Sequence, residues 1–263
     1  MFTKICGPLH QSQQNIAWVG TKIPVTGWCL TKNDGLSPMR FLLSIIVAFV
    51  LTSTPGFGQT VSVDLELAFV VDASGSIDEN EKLRRRQGYV EALTHPRIQR
   101  AVTSGILVRI GVAFIEFSAY GCERLSVQWT TVDGSQSTTA FGRKLLVLDY
   151  DPCPGGNAAA DALAFAAQLM DEKNFEGTRR VIDISGDGPN TLGMSLLGVR
   201  RDVLQRDIKI NALVLERLEM PELPDYFRDE VIGGLGAFMV EAKNHASFSA
   251  ALLKKFDECN RIR

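Results

Sequence analysis

Several common routes to function are closed by what this chain lacks. Its 263 residues include three histidines, His10, His95 and His245, far apart in sequence. With no G-x-S-x-G elbow and no histidine placed as a general base, serine hydrolysis has no machinery. A phosphate-binding P-loop is absent as well. There is no C-x-x-C, so the cysteines do not form a zinc site. Basic excess is also missing: the formal net charge is -2 and the pI near 6.0, which gives no electrostatic pull toward nucleic acid or an anionic membrane. The basic trio Arg84, Arg85 and Arg86 is accordingly expected to be a solvated helix face. Internal repeats and low-complexity tracts are absent too. At 45% hydrophobic and 22% charged, the composition suits one globular domain with a sizeable core plus extra sequence.

The longest apolar run, Phe41 to Leu51, is too short to span a bilayer comfortably. Arg40 precedes it, and Thr54-Pro55-Gly56 breaks it, which is the charge, length and exit pattern of a secretory signal peptide. Residues 39–58 are therefore expected to be that signal, cleaved near Gly58, with no transmembrane helix in the mature chain. Residues 1–38 are expected to be a disordered leader or an extension of the gene model, Met39 being a plausible start. Of five cysteines, Cys122, Cys153 and Cys259 fall in the mature domain, and an exported chain can pair them. Cys122 follows an apolar strand and Cys153 lies in an Asp-Pro-Cys-Pro loop, so a bridge between them is expected.

From Val61 onward, strand-like and helix-like segments alternate, which predicts an α/β domain with a mainly parallel sheet and helices on both faces. Strands are expected at 65–71, 108–118, 180–185, 209–215 and 237–241. The alternating segment 124–132, after a turn at Gly121, should return antiparallel at an edge. A polar helix over 78–94 should end at His95-Pro96. The clearest helix is 158–173, where Ala159, Ala162, Leu163, Ala166, Leu169 and Met170 keep one buried face. Further helices are expected at 197–206, around 226–231, and through Phe248, Leu252 and Phe256.

Function is concentrated where the apolar run LELAFVV ends in Asp72, Ser74 and Ser76, small oxygen-bearing residues two apart. A second run, VIDIS, leads to Asp187. In an open parallel sheet, ligands collect beyond the carboxyl ends of the strands, where both aspartates fall. Gly75 allows a tight turn, and Asn157 in the Gly155-Gly156-Asn157 loop offers an amide oxygen or an ordinary helix N-cap. Two carboxylates, two hydroxyls and an amide suit a hard cation, magnesium first, with manganese or calcium as substitutes. Glu116, in a buried-looking strand, is expected to be paired.

At these residues the chain resembles the metal-ion-dependent adhesion site of von Willebrand factor A domains, over essentially residues 61–263. VVDASGSID, RRQGYVEAL and VIDISGDGPN more narrowly resemble an uncharacterised family of exported bacterial proteins with that fold. The resemblance implies a doubly wound, Rossmann-like sheet and metal ligation by Asp72, Ser74, Ser76 and Asp187, with Asn157 at the position where A domains carry threonine. It also implies a periplasmic or secreted, non-enzymatic domain whose bound ion receives a carboxylate from a partner protein.

Two alternatives are carried forward. FVVDASGS and ISGDGPN also resemble haloacid-dehalogenase-like phosphatases with Asp72 as nucleophile. Their second acid, however, would fall on Ser74, and the acid after the GDG loop on Thr191. The other alternative is an A domain with a degenerate metal site that acts as a structural interaction module.

Overall fold

The computed structural model describes residues 60–74, 79–149, 155–243 and 245–261, all within one unit, Phe57–Arg263. The expected leader and signal segments lie outside the described residues, as do Gly75, Ser76 and Cys153.

Among the described residues eight strands are formed: β1 (Val61–Val63), β2 (Glu66–Asp72), β3 (Ile110–Phe117), β4 (Arg124–Val132), β5 (Phe175–Gly177), β6 (Arg180–Gly186), β7 (Ile208–Leu215) and β8 (Met239–Ala242). Six of them build one sheet in the order β4-β3-β2-β6-β7-β8, and β1 pairs with β5 in a small separate ladder. Every neighbour in the large sheet is parallel except β4, which runs antiparallel to β3 at the edge after the turn at Gly121 (φ 75°). The helices are α1 (Glu79–Thr94), α2 (Pro96–Val102), α3 (Ser135–Leu146), α4 (Ala159–Glu172), α5 (Leu196–Gln205), α6 (Leu223–Tyr226), a π-helical turn (Phe227–Val231) and α7 (His245–Arg261). The expected α/β class, parallel sheet and antiparallel edge strand are all present.

Two cores follow from the period of two along each strand. In β2, Leu67, Phe69 and Val71 face α1, α2, α3 and α7, while Ala68 and Val70 face α4 and α5. On the first side, Tyr89 packs edge-on against Phe69 and Phe114, with both ring centroids 5.2 Å away. On the second, Ala159, Ala160, Ala162, Ala166 and Ala167 of α4 are buried, small residues that let the helix lie close to the sheet.

Sheet order places the functional edge. After β2 the chain crosses to β3 on one side, and it later returns to β6 on the other, so β2 flanks the point where the winding reverses. Open α/β sheets bind ligands at such a point. Asp72 ends β2 there, and Asp187 follows Gly186 at the end of β6.

Several elements differ from the sequence-based reading. Pro96 not only closes α1 but starts α2. The His95 side chain caps the new helix by accepting from the Arg97 N–H (3.2 Å), and proline suits the first helical turn. Helix α3 was unanticipated because SQSTTAFGRKLL is largely polar, yet it buries Thr138, Phe141, Gly142 and Leu145.

The largest correction concerns the basic trio. Arg84 is exposed, but Arg85 and Arg86 are 2% and 7% exposed, and Lys82 is buried beside them. Helix α1 therefore turns a cationic stripe inward, where strand-end carboxylates stabilise it.

Candidate functional site

The Asp72 side chain is 1% exposed, and both its oxygens are engaged. Oδ1 accepts the Ser74 backbone N–H at 2.8 Å, a bond the tight turn after β2 brings about. Oδ2 accepts from Asn157 Nδ2 at 2.7 Å, across 85 residues of sequence. Burial pushes the Asp72 carboxyl up to about 6; the Arg85 cation opposes that rise and the Asp187 charge adds to it. The two aspartates thus share one electrostatic neighbourhood.

Asn157 is 7% exposed, and its Oδ1 has no hydrogen-bond partner among the described residues. It does not act as the N-cap of α4. That role belongs to the loop after β6: Asn190 Oδ1 accepts from the Ala160 N–H at 2.9 Å, and Asn190 N–H donates to the Tyr226 hydroxyl at 3.0 Å. In the same loop, Thr191 Oγ1 accepts from the Asn157 N–H (2.9 Å), and the Thr191 N–H donates to the Asn157 carbonyl (2.8 Å). Asp161 Oδ2 accepts from Met194 N–H at 2.8 Å. A Cβ at Gly193 would lie 1.7 Å from that Oδ2, and its φ of 80° is left-handed, so glycine is required twice over. The β6 loop is thereby zipped to the start of α4, which holds the Asn157 amide against Asp72.

Arg85, expected on a solvated face and not among the site residues, lies at the centre. Its Nη1 donates to the Asp72 carbonyl (3.0 Å), and its Nη2 reaches Glu81 Oε1 (3.0 Å) and Asp187 Oδ2 (3.2 Å). Tyr89, one turn further along α1, anchors this face through a 3.0 Å hydrogen bond between its hydroxyl and Ser185 Oγ. The available signal was the position of Arg85 four residues before an apolar Tyr89, on the same helical face.

Of the expected ligands, the structure brings Asp72, Ser74 and Asn157 together and joins Asp187 to them through Arg85. Ser76 lies outside the described residues. Among the described residues there is no cluster of three or more His, Cys, Asp or Glu arranged for a metal, so any ion here would draw on hydroxyl and amide oxygens as well.

Next to the site, Glu116 is paired as expected. Arg86 donates to it through Nε (2.8 Å) and Nη2 (2.9 Å), Ser126 Oγ donates at 3.0 Å, and Arg124 lies 3.6 Å away. Cys122, at the same sheet edge, is disulfide-bonded, and its expected partner Cys153 lies outside the described residues.

Known structures share this architecture. The chain is similar to the pilus adhesin SpaC of Lactobacillus rhamnosus GG (16% identity, TM-score 0.55, 76% of this chain and 30% of that one). It is also similar to a von Willebrand factor type A protein from Catenulispora acidiphila (14%, 0.52, 74% and 42%). A third is the mussel byssus protein proximal thread matrix protein 1, with a zinc-occupied MIDAS motif (15%, 0.51, 75% and 47%). The chain spans less than half the length of each of these proteins, and identities this low establish the fold alone. No curated protein sequence matches. The family model described as "Protein of unknown function (DUF1194)" matches residues 62–259. On that match the chain belongs to this DUF1194 family, and its architecture is that of a von Willebrand factor A domain.

Proposed function

We propose that this chain is a divalent-cation-dependent protein-binding domain, an adhesion or scaffold module of the bacterial envelope, periplasmic or secreted. One observation carries the proposal: three oxygen-bearing side chains converge at the switch point of the sheet, and Asn157 Oδ1 is buried there without a partner. An orphaned buried carbonyl oxygen next to a desolvated carboxylate is a costly arrangement that a hard cation relieves. Asp72, Ser74, Ser76, Asn157 and Asp187 would hold the ion, all through oxygen, which favours magnesium and admits manganese or calcium.

When bound, the ion supplies a Lewis-acidic point for a carboxylate of a partner protein. The protein's own groups do the rest. Asn157 and the Ser74 N–H orient Asp72, and the zipped β6 loop fixes Asn157. The chain is proposed not to be an enzyme. A nucleophilic Asp72 would need an open approach and a neighbouring acid, whereas its oxygens are buried and bonded and Ser74 occupies the position two residues on.

The adhesin among the similar structures supports this reading by analogy of fold. Melting the full chain with magnesium and with chelator tests it. At an ion concentration about one hundred times Kd, the wild type should gain about 2.7 kcal/mol, and Asp72→Ala should gain nothing while keeping its fold. Equal responses in the two proteins, or phosphatase turnover lost with Asp72, would overturn the proposal.

A further inference from the structure

We infer that Arg85 is a built-in competitor of the divalent cation, a resident positive charge that sets how tightly the site takes an ion. This rests on the cation-site reading above and adds a residue that the ligand pattern does not contain.

Asp72, Asp187 and Glu81 surround one guanidinium that is 2% exposed, with contacts of 3.0 Å to the Asp72 carbonyl, 3.0 Å to Glu81 and 3.2 Å to Asp187. A guanidinium does not lose its proton in proteins, so this compensation is permanent. Asp72 is buried and Glu81 and Asp187 are half-buried, and carboxylates so desolvated without a counter-charge would destabilise the fold. Arg85 supplies that counter-charge from within the chain, and the domain needs no ion to remain folded.

A divalent cation drawing on the same aspartates brings a second positive charge into a poorly solvated space, where like charges repel strongly. Asp187 cannot serve both fully. Loading the ion therefore requires Arg85 to slacken its contact with Asp187, and Glu81 is the neighbouring acid on its own helix, one turn back, that retains the displaced charge. Arg85 Nε has no hydrogen-bond partner among the described residues, so the guanidinium is held by two of its three nitrogens and can pivot toward Glu81 without breaking a bond at the third.

The test is calorimetric titration of the full chain and its Arg85→Gln variant with magnesium chloride and manganese chloride, with melting curves in chelator. The inference expects the variant to bind at least about tenfold more tightly, equivalent to about 1.4 kcal/mol. It also expects wild-type stability to survive chelation while that of Arg85→Gln depends on the ion. Measurable wild-type binding with equal or weaker binding by the variant overturns this inference and leaves the cation site standing. Binding by neither protein overturns both. If Arg85→Gln does not fold with or without ion, a crystal structure of the wild type grown with manganese decides. A bound ion with Arg85 beyond hydrogen-bond distance of Asp187 supports the inference, and a bound ion with the 3.2 Å contact retained overturns it.

Discussion

Replacing Lys255 by methionine tests how α7 is fastened to the sheet. Lys255 Nζ lies 2.5 Å from Asp183 Oδ1 and 3.4 Å from the Ile184 carbonyl, and the two residues are 1% and 3% exposed. Burial raises the Asp183 carboxyl and the Lys255 cation lowers it, so burial outweighs the ion pair. Lys255→Met leaves a buried carboxylate unpaired, a change worth about 3–5 kcal/mol. For a domain of this size each kcal/mol moves the melting temperature by about 2–4 °C, so the expected drop at pH 7.5 is roughly 6–20 °C. The sign with pH follows from the raised carboxyl. Its contribution to stability is full below the unfolded value near 3.8 and is lost as pH rises through the folded value. The variant should therefore be least impaired in mild acid. The double variant Asp183→Asn with Lys255→Met removes both charges and should recover most of the loss. Denaturant unfolding of the three proteins at pH 4.5 and 7.5 measures this. A Lys255→Met cost below about 1 kcal/mol at pH 7.5, or one that does not change with pH, would refute the reasoning.

Other expectations are as direct. Asn157→Thr should tighten magnesium binding, because a shorter hydroxyl replaces an amide whose nitrogen now occupies Asp72; weaker binding in calorimetry would show that the amide itself is the tuned ligand. Asn190→Ala removes the side chain that caps α4 and should cost about 1 kcal/mol of stability in denaturant unfolding. It should also weaken ion binding by loosening Asn157; loss of stability with unchanged affinity would separate the loop from the site. Asp171 is held below the usual carboxylate range by Arg180 and then Arg206. Its contribution is present above the unfolded value near 3.8 and lost as pH falls through the folded one, so Asp171→Asn should flatten the acid limb of the stability profile.

The strands and the site motif were legible because their signals are local. Alternation along 66–72 and 110–117 sorted residues between two faces, and Asp72, Asp187 and Asn157 each sit where an apolar run or a glycine pair ends. What sequence concealed depends on partners far along the chain. Arg85 and Arg86 resemble a solvated stripe until Asp187, 102 residues on, and Glu116, 30 residues on, arrive to neutralise them. Asn157 was readable as ligand or cap, and only the placement of Asn190 Oδ1 on the Ala160 N–H settled that it does not cap. Thr191 stood as an acid missing from a phosphatase pattern, yet it is the clasp that holds Asn157 in place.

Titration of the full-length wild-type chain with magnesium chloride, beside Asp72→Ala, tests the central claim most directly. One saturable site per chain is expected in the wild type and none in the variant. No saturable binding of magnesium, manganese or calcium by the wild type, or binding undiminished by Asp72→Ala, would contradict it.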